Sequence, residues 1–379
     1  MHIVIAPDSF KESLSAPAVA GAIRTGFEKV FPEASFDELP LGDGGEGTLA
    51  ILADALGLQM DKWSVTGPLG LPVQASFARK GELALFEMAE IVGLAMVPDS
   101  QRNPLLIQTT GVGEMILHLA KTGVRQMIIG VGGSASHDGG IGMAAALGYR
   151  FFDEEGRQLE AIGQNLGKVA SLSDEAVAPE LKQVTIQIVT DVSNPLCGKK
   201  GATYVFSAQK GLSPSEFERV DAEMESFYQL VAPTILKQDG AGAGGGMAAG
   251  LLTFAGGAIV AGIDFVLDQV NFDERVSHAD LVIVGEGRLD AQSLAGKTPI
   301  GVARRTPSNV PVIAICGSLK DDLPPLPFEN ICAAFPIISQ VASLEDTLAK
   351  AEENLARTAE QVARVLQLGS SLALREYSQ

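Results

Sequence analysis

The apolar run Leu281-Val282-Ile283-Val284 stops abruptly at Gly285-Glu286-Gly287-Arg288, with Asp290 two residues further on. No polar residue alternates within it, so both faces of the segment must be covered. That pattern is expected of a parallel strand inside an α/β sheet, not of an antiparallel strand with one wet face. Ligands of open α/β sheets sit beyond the carboxyl ends of the strands, so this strand is predicted to deliver Glu286, Arg288 and Asp290 to a working site. A dry core has no use for charges of both signs at such a point.

The pattern recurs. Ile3-Val4-Ile5-Ala6 runs into Pro7-Asp8-Ser9-Phe10-Lys11, and Met127 to Val131 runs into Gly132-Gly133-Ser134-Ala135-Ser136-His137-Asp138-Gly139-Gly140. Ile186 to Thr190 ends at Asp191 and Asn194, and Val312 to Cys316 ends at Gly317-Ser318. After the first strand, Ser15 is placed to cap a helix with Pro17 in its first turn and Val19, Ile23, Phe27 and Val30 on one face. Residues 63–87 change character and read as a small antiparallel meander around the Gly67-Pro68-Leu69-Gly70 turn.

The expected fold class is α/β with two domains. One is a doubly wound parallel sheet of flavodoxin or Rossmann type, with five strands at Ile3–Ala6, Met127–Val131, Leu281–Val284, Val312–Ile315 and Ile331–Phe335. It is assigned residues 1–41, 120–165 and 270–379. An inserted mixed α/β domain takes 42–119 and 166–269, with the active-site cleft between the two. The amphipathic segment from Ser343 to Leu368 is expected to pack on the sheet.

A chain of 379 residues with 46% hydrophobic content can bury a large core. Its net charge of −18 argues against nucleic acid and anionic membrane surfaces as partners, since the long-range field repels a phosphate backbone. Small anions must then be captured locally. Cys197, Cys316 and Cys332 have no spacing suited to zinc or to a disulfide framework, so a reducing, cytoplasmic setting is expected. No basic region followed by a long apolar core opens the sequence. Ala241 to Ile263 carries no charge and is long enough to span a bilayer, but eight of its residues are Gly, which predicts a buried helix bounded by glycine turns.

Gly296-Lys297-Thr298 imitates the end of a P-loop without its first glycine, and the first strand lacks a Gly-x-Gly-x-x-Gly turn. Gly132-Gly133-Ser134 with Asp138-Gly139-Gly140 is the better candidate for phosphate, because small residues let backbone N–H groups approach oxyanions. Structural turns use glycines in the same way. His137 is taken as a polar turn residue. Lys11 can stabilise charge that builds up in phosphoryl transfer and Asp8 can orient or deprotonate a hydroxyl, although an ordinary βα loop with an ion pair reads alike. Asp43, among glycines, suits a turn equally well. Asp191, Asn194, Glu286 and Asp290 offer the hard oxygen atoms that Mg²⁺ prefers, as hydrogen-bonded loop residues also do.

Together, Ile5-Ala6-Pro7-Asp8-Ser9-Phe10-Lys11-Glu12-Ser13-Leu14-Ser15, Asp43-Gly44-Gly45-Glu46-Gly47-Thr48, Val65 to Gly70, Gly132 to Ala135, Asp191 with Asn194-Pro195-Leu196, Gln209-Lys210-Gly211 and Gly285 to Arg288 with Asp290 resemble the class I glycerate kinase family. The resemblance covers nearly the whole chain. It implies a Mg²⁺- and ATP-dependent kinase that converts D-glycerate to 2-phosphoglycerate. It implies Asp8, Lys11 and Asp191 as catalytic residues, and Ser9, Asp43, Asn194, Arg288 and Asp290 around the substrate. Gly132, Gly133, Ser134, Asp138, Gly139 and Lys297 would hold the nucleotide, and Asp191 and Glu286 the metal. The chain departs from the family's usual Thr-Asn at Ser136-His137, which bears on nucleotide contacts. A kinase for a related hydroxy acid such as hydroxypyruvate, a glycerate 3-kinase and a non-catalytic nucleotide or glycerate sensor are the rival readings. The expected partners are the small-molecule substrates, with the chain a monomer or a homodimer.

Overall fold

The computed structural model describes residues 1–10, 13–42, 47–290, 293 and 297–376, with side chains described as far as Leu372. In chain order its strands are β1 (His2–Ile5), β2 (Ser35–Glu38), β3 (Gln59–Thr66), β4 (Pro72–Lys80), β5 (Leu83–Glu87), β6 (Gln126–Gly130), β7 (Arg150–Phe152), β8 (Ser171–Ser173), β9 (Thr185–Thr190), β10 (Ala258–Ala261), β11 (Leu281–Val284), β12 (Arg288–Leu289), β13 (Val312–Cys316), β14 (Ser318–Leu319) and β15 (Ile331–Pro336). The helices are α1 (Ala16–Glu28), α2 (Thr48–Ala55), α3 (Ala89–Val92), α4 (Thr110–Lys121), α5 (Ile141–Leu147), α6 (Ala202–Phe206), α7 (Phe217–Val231), α8 (Ala243–Phe254), α9 (Gly262–Gln269), α10 (Phe272–Val276), α11 (Thr298–Arg305), α12 (Leu344–Ala349) and α13 (Ala351–Glu376). They divide into two compact units, Met1–Asp43 with Ile263–Gln379, and Gly44–Gly262.

The first unit is built on a five-stranded parallel sheet in the order β15-β13-β11-β1-β2. Numbered within the unit this is the 2-1-3-4-5 order of flavodoxin-like sheets, whose direction of winding reverses between β1 and β11. All residues of β11 and β13 are buried, as unbroken apolar strands require. The Ser15 hydroxyl caps α1 at Ala18 N (3.4 Å), and Val19, Ile23 and Phe27 face the core. Leu355, Ala359 and Val362 of α13 join the same core. The amphipathic C-terminal segment is thus two helices, with Leu344 and Val365 at the surface.

The second unit carries a six-stranded sheet, β10-β9-β6-β5-β4-β3. Strands β3, β4 and β5 form the antiparallel meander; β5, β6, β9 and β10 run parallel. One core joins Phe86, Ile129 and Ile188 of this sheet to Ile116, Met143, Tyr228 and Leu251 of the surrounding helices.

Two expectations are corrected. The strand at 126–130 belongs to the second unit, between β5 and β9, and the fifth strand of the parallel sheet is β2 instead. The segment 120–165 therefore lies in the second unit, which is continuous from 44 to 262, and 263–269 lies in the first. The physical reason is that β6 pairs in register with the meander's β5, and Met127 and Ile129 share one core with its Phe86. The uncharged stretch from Ala241 holds the buried helix α8 but also β10, since Gly256 at φ 64° turns the chain back into the sheet.

Candidate active site

In the first unit the reversal point between β1 and β11 is occupied as the strand order predicts. Asp8 N donates to Gly285 O (2.8 Å), so the loop after β1 runs beside the loop after β11. Both Asp8 oxygens are oriented: Oδ1 accepts from Ser9 N (2.6 Å) and Oδ2 from Thr298 Oγ1 (2.8 Å), the first residue of α11. Glu286 follows β11 and is buried, and its Oε1 has no hydrogen-bond partner. Burial pushes its carboxyl up to about 7, the negative charges of Asp8 and Asp290 add to this, and the Ser293 hydroxyl and Lys297 oppose it. Lys297 Nζ stands 3.9 Å from Glu286 Oε2. Arg288, on β12, is largely exposed, with its Nε 3.5 Å from Asp290 Oδ2. Asp290 Oδ1 accepts from Ser293 N (3.2 Å). The structure thus brings together Asp8, Ser9, Glu286, Arg288, Asp290 and Lys297, three carboxylates and two cations at one sheet edge.

In the second unit the parallel strands β6 and β9 end side by side. Their register sets Gly130 opposite Val189, so Gly132 and Asp191 leave the sheet at the same edge. Gly133, at φ 69°, is exposed and Gly132 half-buried, leaving the tip of this turn open. Its root is closed. Ser134 Oγ accepts from Lys210 Nζ (2.8 Å), and Asp138 is completely buried, accepting from Thr109 Oγ1 (2.6 Å), Gly140 N (2.9 Å) and Gly142 N (3.3 Å). Burial raises its pKa, and these three donors pull it back. Asp138 thus holds the start of α5, and Gly139 is packed under Tyr228, whose hydroxyl donates to its carbonyl (2.6 Å). Asn194 Nδ2 donates to Lys200 O (2.8 Å), closing the loop after β9.

His137 corrects the reading of a polar turn residue: it is fully buried, with Nε2 3.0 Å from Thr203 Oγ1 and Nδ1 unpartnered. Burial, aided by Lys210, lowers its pKa to about 3, so the ring is neutral. Lys11 and Asp43 lie outside the described residues. Sequence reasoning missed Thr298, Thr109 and the burial of Lys210. Thr298 directly follows the Gly-Lys that drew attention, so its hydroxyl was visible as a signal; the other two depend on tertiary packing.

The sheet order, the strand-end carboxylates and the glycine turn are the features of an α/β enzyme whose candidate ligand sites lie at its strand ends. The model of the glycerate kinase family matches residues 3–367. The chain is 54% identical to a glycerate kinase of Neisseria meningitidis serogroup B over 93% of its own length and 95% of that protein's. It is 40% identical to the glycerate 2-kinase of Escherichia coli K12, over 93% and 94% of the two lengths. A crystal structure from Salmonella typhimurium LT2, of a protein provisionally named glycerate kinase 2, matches with a TM-score of 0.82 at 42% identity, covering 98% of this chain and 99% of that one. The chain belongs to the glycerate kinase family, and it is a kinase. No helix among the described residues is long and apolar enough to cross a membrane.

Proposed function

We propose that the chain transfers the γ-phosphoryl group of ATP to the C2 hydroxyl of D-glycerate, giving 2-phosphoglycerate. The observation that carries this reading is the charged cluster at the β1/β11 reversal point, where Asp8, Glu286 and Asp290 meet Arg288 and Lys297. The relative named glycerate 2-kinase supports the choice of hydroxyl.

Phosphoryl transfer asks the protein for alignment and for positive charge on the transferring group, with little covalent work. Arg288 can grip the glycerate carboxylate through two parallel hydrogen bonds. A clamped carboxylate holds the adjacent C2 hydroxyl more rigidly than the C3 hydroxyl at the free end. Asp8, fixed by Ser9 and Thr298, then orients that hydroxyl and takes its proton. Lys11 and Lys297 supply charge stabilisation, and the open Gly132-Gly133 turn with Ser134 receives nucleotide phosphates. Asp138 and Gly139 act beneath that turn, as supports for its shape.

Among the described residues no three His, Cys, Asp or Glu side chains come together as a metal cage. Mg²⁺ needs less, since phosphate oxygens and water complete its shell around one or two carboxylates. Glu286, with a buried oxygen lacking a partner and a raised pKa, has the chemistry of such a ligand. Asp191, at the edge shared with the glycine turn, is the second candidate. Bound Mg²⁺ would neutralise phosphate charge.

The test is ADP release with D-glycerate, L-glycerate and hydroxypyruvate, with the product read through enolase and pyruvate kinase. D-glycerate should be preferred and its product read directly. A signal that appears only after phosphoglycerate mutase is added makes the chain a 3-kinase, and preference for hydroxypyruvate overturns the acceptor.

A further inference from the structure

Lys210 belongs to a motif, Gln209-Lys210-Gly211, that the phosphoryl-transfer machinery leaves without a role. It ends the short 3-10 turn Ala208–Lys210, and Gly211 at φ 98° turns the chain away. A Cβ at Gly211 would come 2.4 Å from Arg102 O, so the turn is pressed against that segment. The Lys210 side chain runs inward and is 3% exposed. Its ammonium donates to Ser134 Oγ and to Ser136 O, both at 2.8 Å, which are the residues directly behind the open Gly132-Gly133 tip.

One acidic group, Asp138, faces the ammonium, and its negative charge only partly offsets the effect of burial, which still lowers the Lys210 pKa. His137 is neutral, and Tyr228 has its phenol pushed up by burial. Thr203 of α6 and Ser207 just after it carry no charge, and the Arg102 guanidinium pairs with Asp99 (2.9 Å). Asp138 acts on Lys210 through space and not through a hydrogen bond, since its oxygens accept from Thr109, Gly140 and Gly142. Burying a cation this way costs several kcal/mol. A neutral donor could tie a hydroxyl to a carbonyl without that cost, so the charge itself needs a purpose. Two further buried polar atoms of the same loop, Ser136 Oγ and His137 Nδ1, have no partner, so the loop is not optimised for its own hydrogen bonding.

We propose that Lys210 is a positioning residue beneath the glycine turn, fixing Ser134 and the Ser136 carbonyl from below and lending its positive charge to the nucleotide phosphates that the turn binds. The proposal rests on the reading of that turn as the phosphate site. The ammonium does not touch the phosphates; its field reaches them through a dry loop, where charge is screened least. Burial lowers the Lys210 pKa to about 7, so the free enzyme loses this charge as the pH rises through neutrality. A phosphate bound above it favours the charged form again. Nucleotide binding should therefore take up a proton on the alkaline side of neutrality, where the nucleotide's own phosphates are fully ionised.

The experiment is calorimetric titration of the whole protein with ADP at about pH 8, in buffers of differing ionisation enthalpy, beside steady-state kinetics from about pH 6.5 to 9. The wild type should take up as much as about one proton per ADP, and its KM for ATP should rise with pH. Lys210→Met should show no such uptake, and a KM for ATP raised roughly tenfold or more and flat with pH, while the KM for glycerate changes little. Should Lys210→Met fail to fold, the wild-type uptake decides alone, and its absence overturns the proposal. ADP binding without proton uptake, or a folded Lys210→Met with the wild-type pH profile, overturns the role of Lys210 and leaves the nucleotide reading standing. A wild type that binds no ADP removes both.

Discussion

Thr298 Oγ1 donates to Asp8 Oδ2 at 2.8 Å, joining the start of α11 to the loop after β1 across 290 positions of sequence. The bond fixes the direction in which Asp8 presents its remaining lone pairs. Asp8→Asn should lower kcat by roughly two to four orders of magnitude, the range for a lost general base. Thr298→Val, which leaves the carboxylate but frees its rotation, should lower kcat about tenfold with the KM for ATP nearly unchanged. Normal turnover in a folded Asp8→Asn protein would take Asp8 out of the proton transfer.

Lys11 follows the same strand in sequence, three residues beyond Asp8. Lys11→Met is expected to reduce kcat by roughly two or more orders of magnitude while the circular dichroism spectrum and melting point stay close to wild type. Near-normal turnover would remove it from the mechanism.

Arg288 offers a planar fork that Lys cannot reproduce, and its exposure leaves it accessible to a ligand. Arg288→Lys should raise the KM for glycerate by more than it raises the KM for ATP. If only the ATP term moves, the guanidinium serves the nucleotide.

Glu286 gives a pH-dependent stability signal. Its folded pKa of about 7 lies above the ordinary carboxylate value of 4.5, so the folded state holds a proton that the unfolded chain releases. The stability this contributes is complete below about pH 4.5 and is lost as the pH rises through 7. Measured by denaturant unfolding in EDTA, Glu286→Gln should therefore gain on the wild type at about pH 8, by on the order of 1–3 kcal/mol, and match it near pH 5. Equal stabilities at both pH values would show that burial does not perturb this carboxyl.

Gly245 sits at φ 69°, and a Cβ there would come 2.1 Å from Ser136 O. Gly245→Ala is expected to cost about 2–4 kcal/mol, with loss of nucleotide binding, because the loop behind Gly132 has to move. Gly81, at φ 58° with open space around it, is the control: Gly81→Ala should cost only about 1–2 kcal/mol of backbone strain. A Gly245→Ala protein as stable as that control would contradict the close packing.

Parallel strands announce themselves because burial on both faces demands unbroken apolar runs, which is why β1, β6, β9, β11 and β13 and the charges after them were legible in the sequence. Strand β2, Ser35-Phe36-Asp37-Glu38, lies at the sheet edge and has no such run, so the strand at 126–130 was read into its place. Lys210 was legible only as part of a motif, since Gln-Lys-Gly reads as surface until the fold is known. The burial of His137 was hidden for the same reason. Strand-end positions follow from local pattern, whereas the layer beneath them is assembled from segments far apart in the chain.

Helices α1 and α13 are packed so closely that a Cβ at Gly26 of α1 would fall 2.4 Å from Ala356 O of α13. Strand β1 likewise has β2 on one side and β11, some 276 residues later, on the other. On the ribosome β1 and α1 must therefore wait, for on the order of tens of seconds at usual elongation speeds, before β11 and α13 emerge. The continuous unit from 44 to 262 has all its strands in hand by then. The nascent chain should thus mature from its middle outward, with Ile3, Ile5 and Phe27 as the apolar surface left for a chaperone to shelter in the interval.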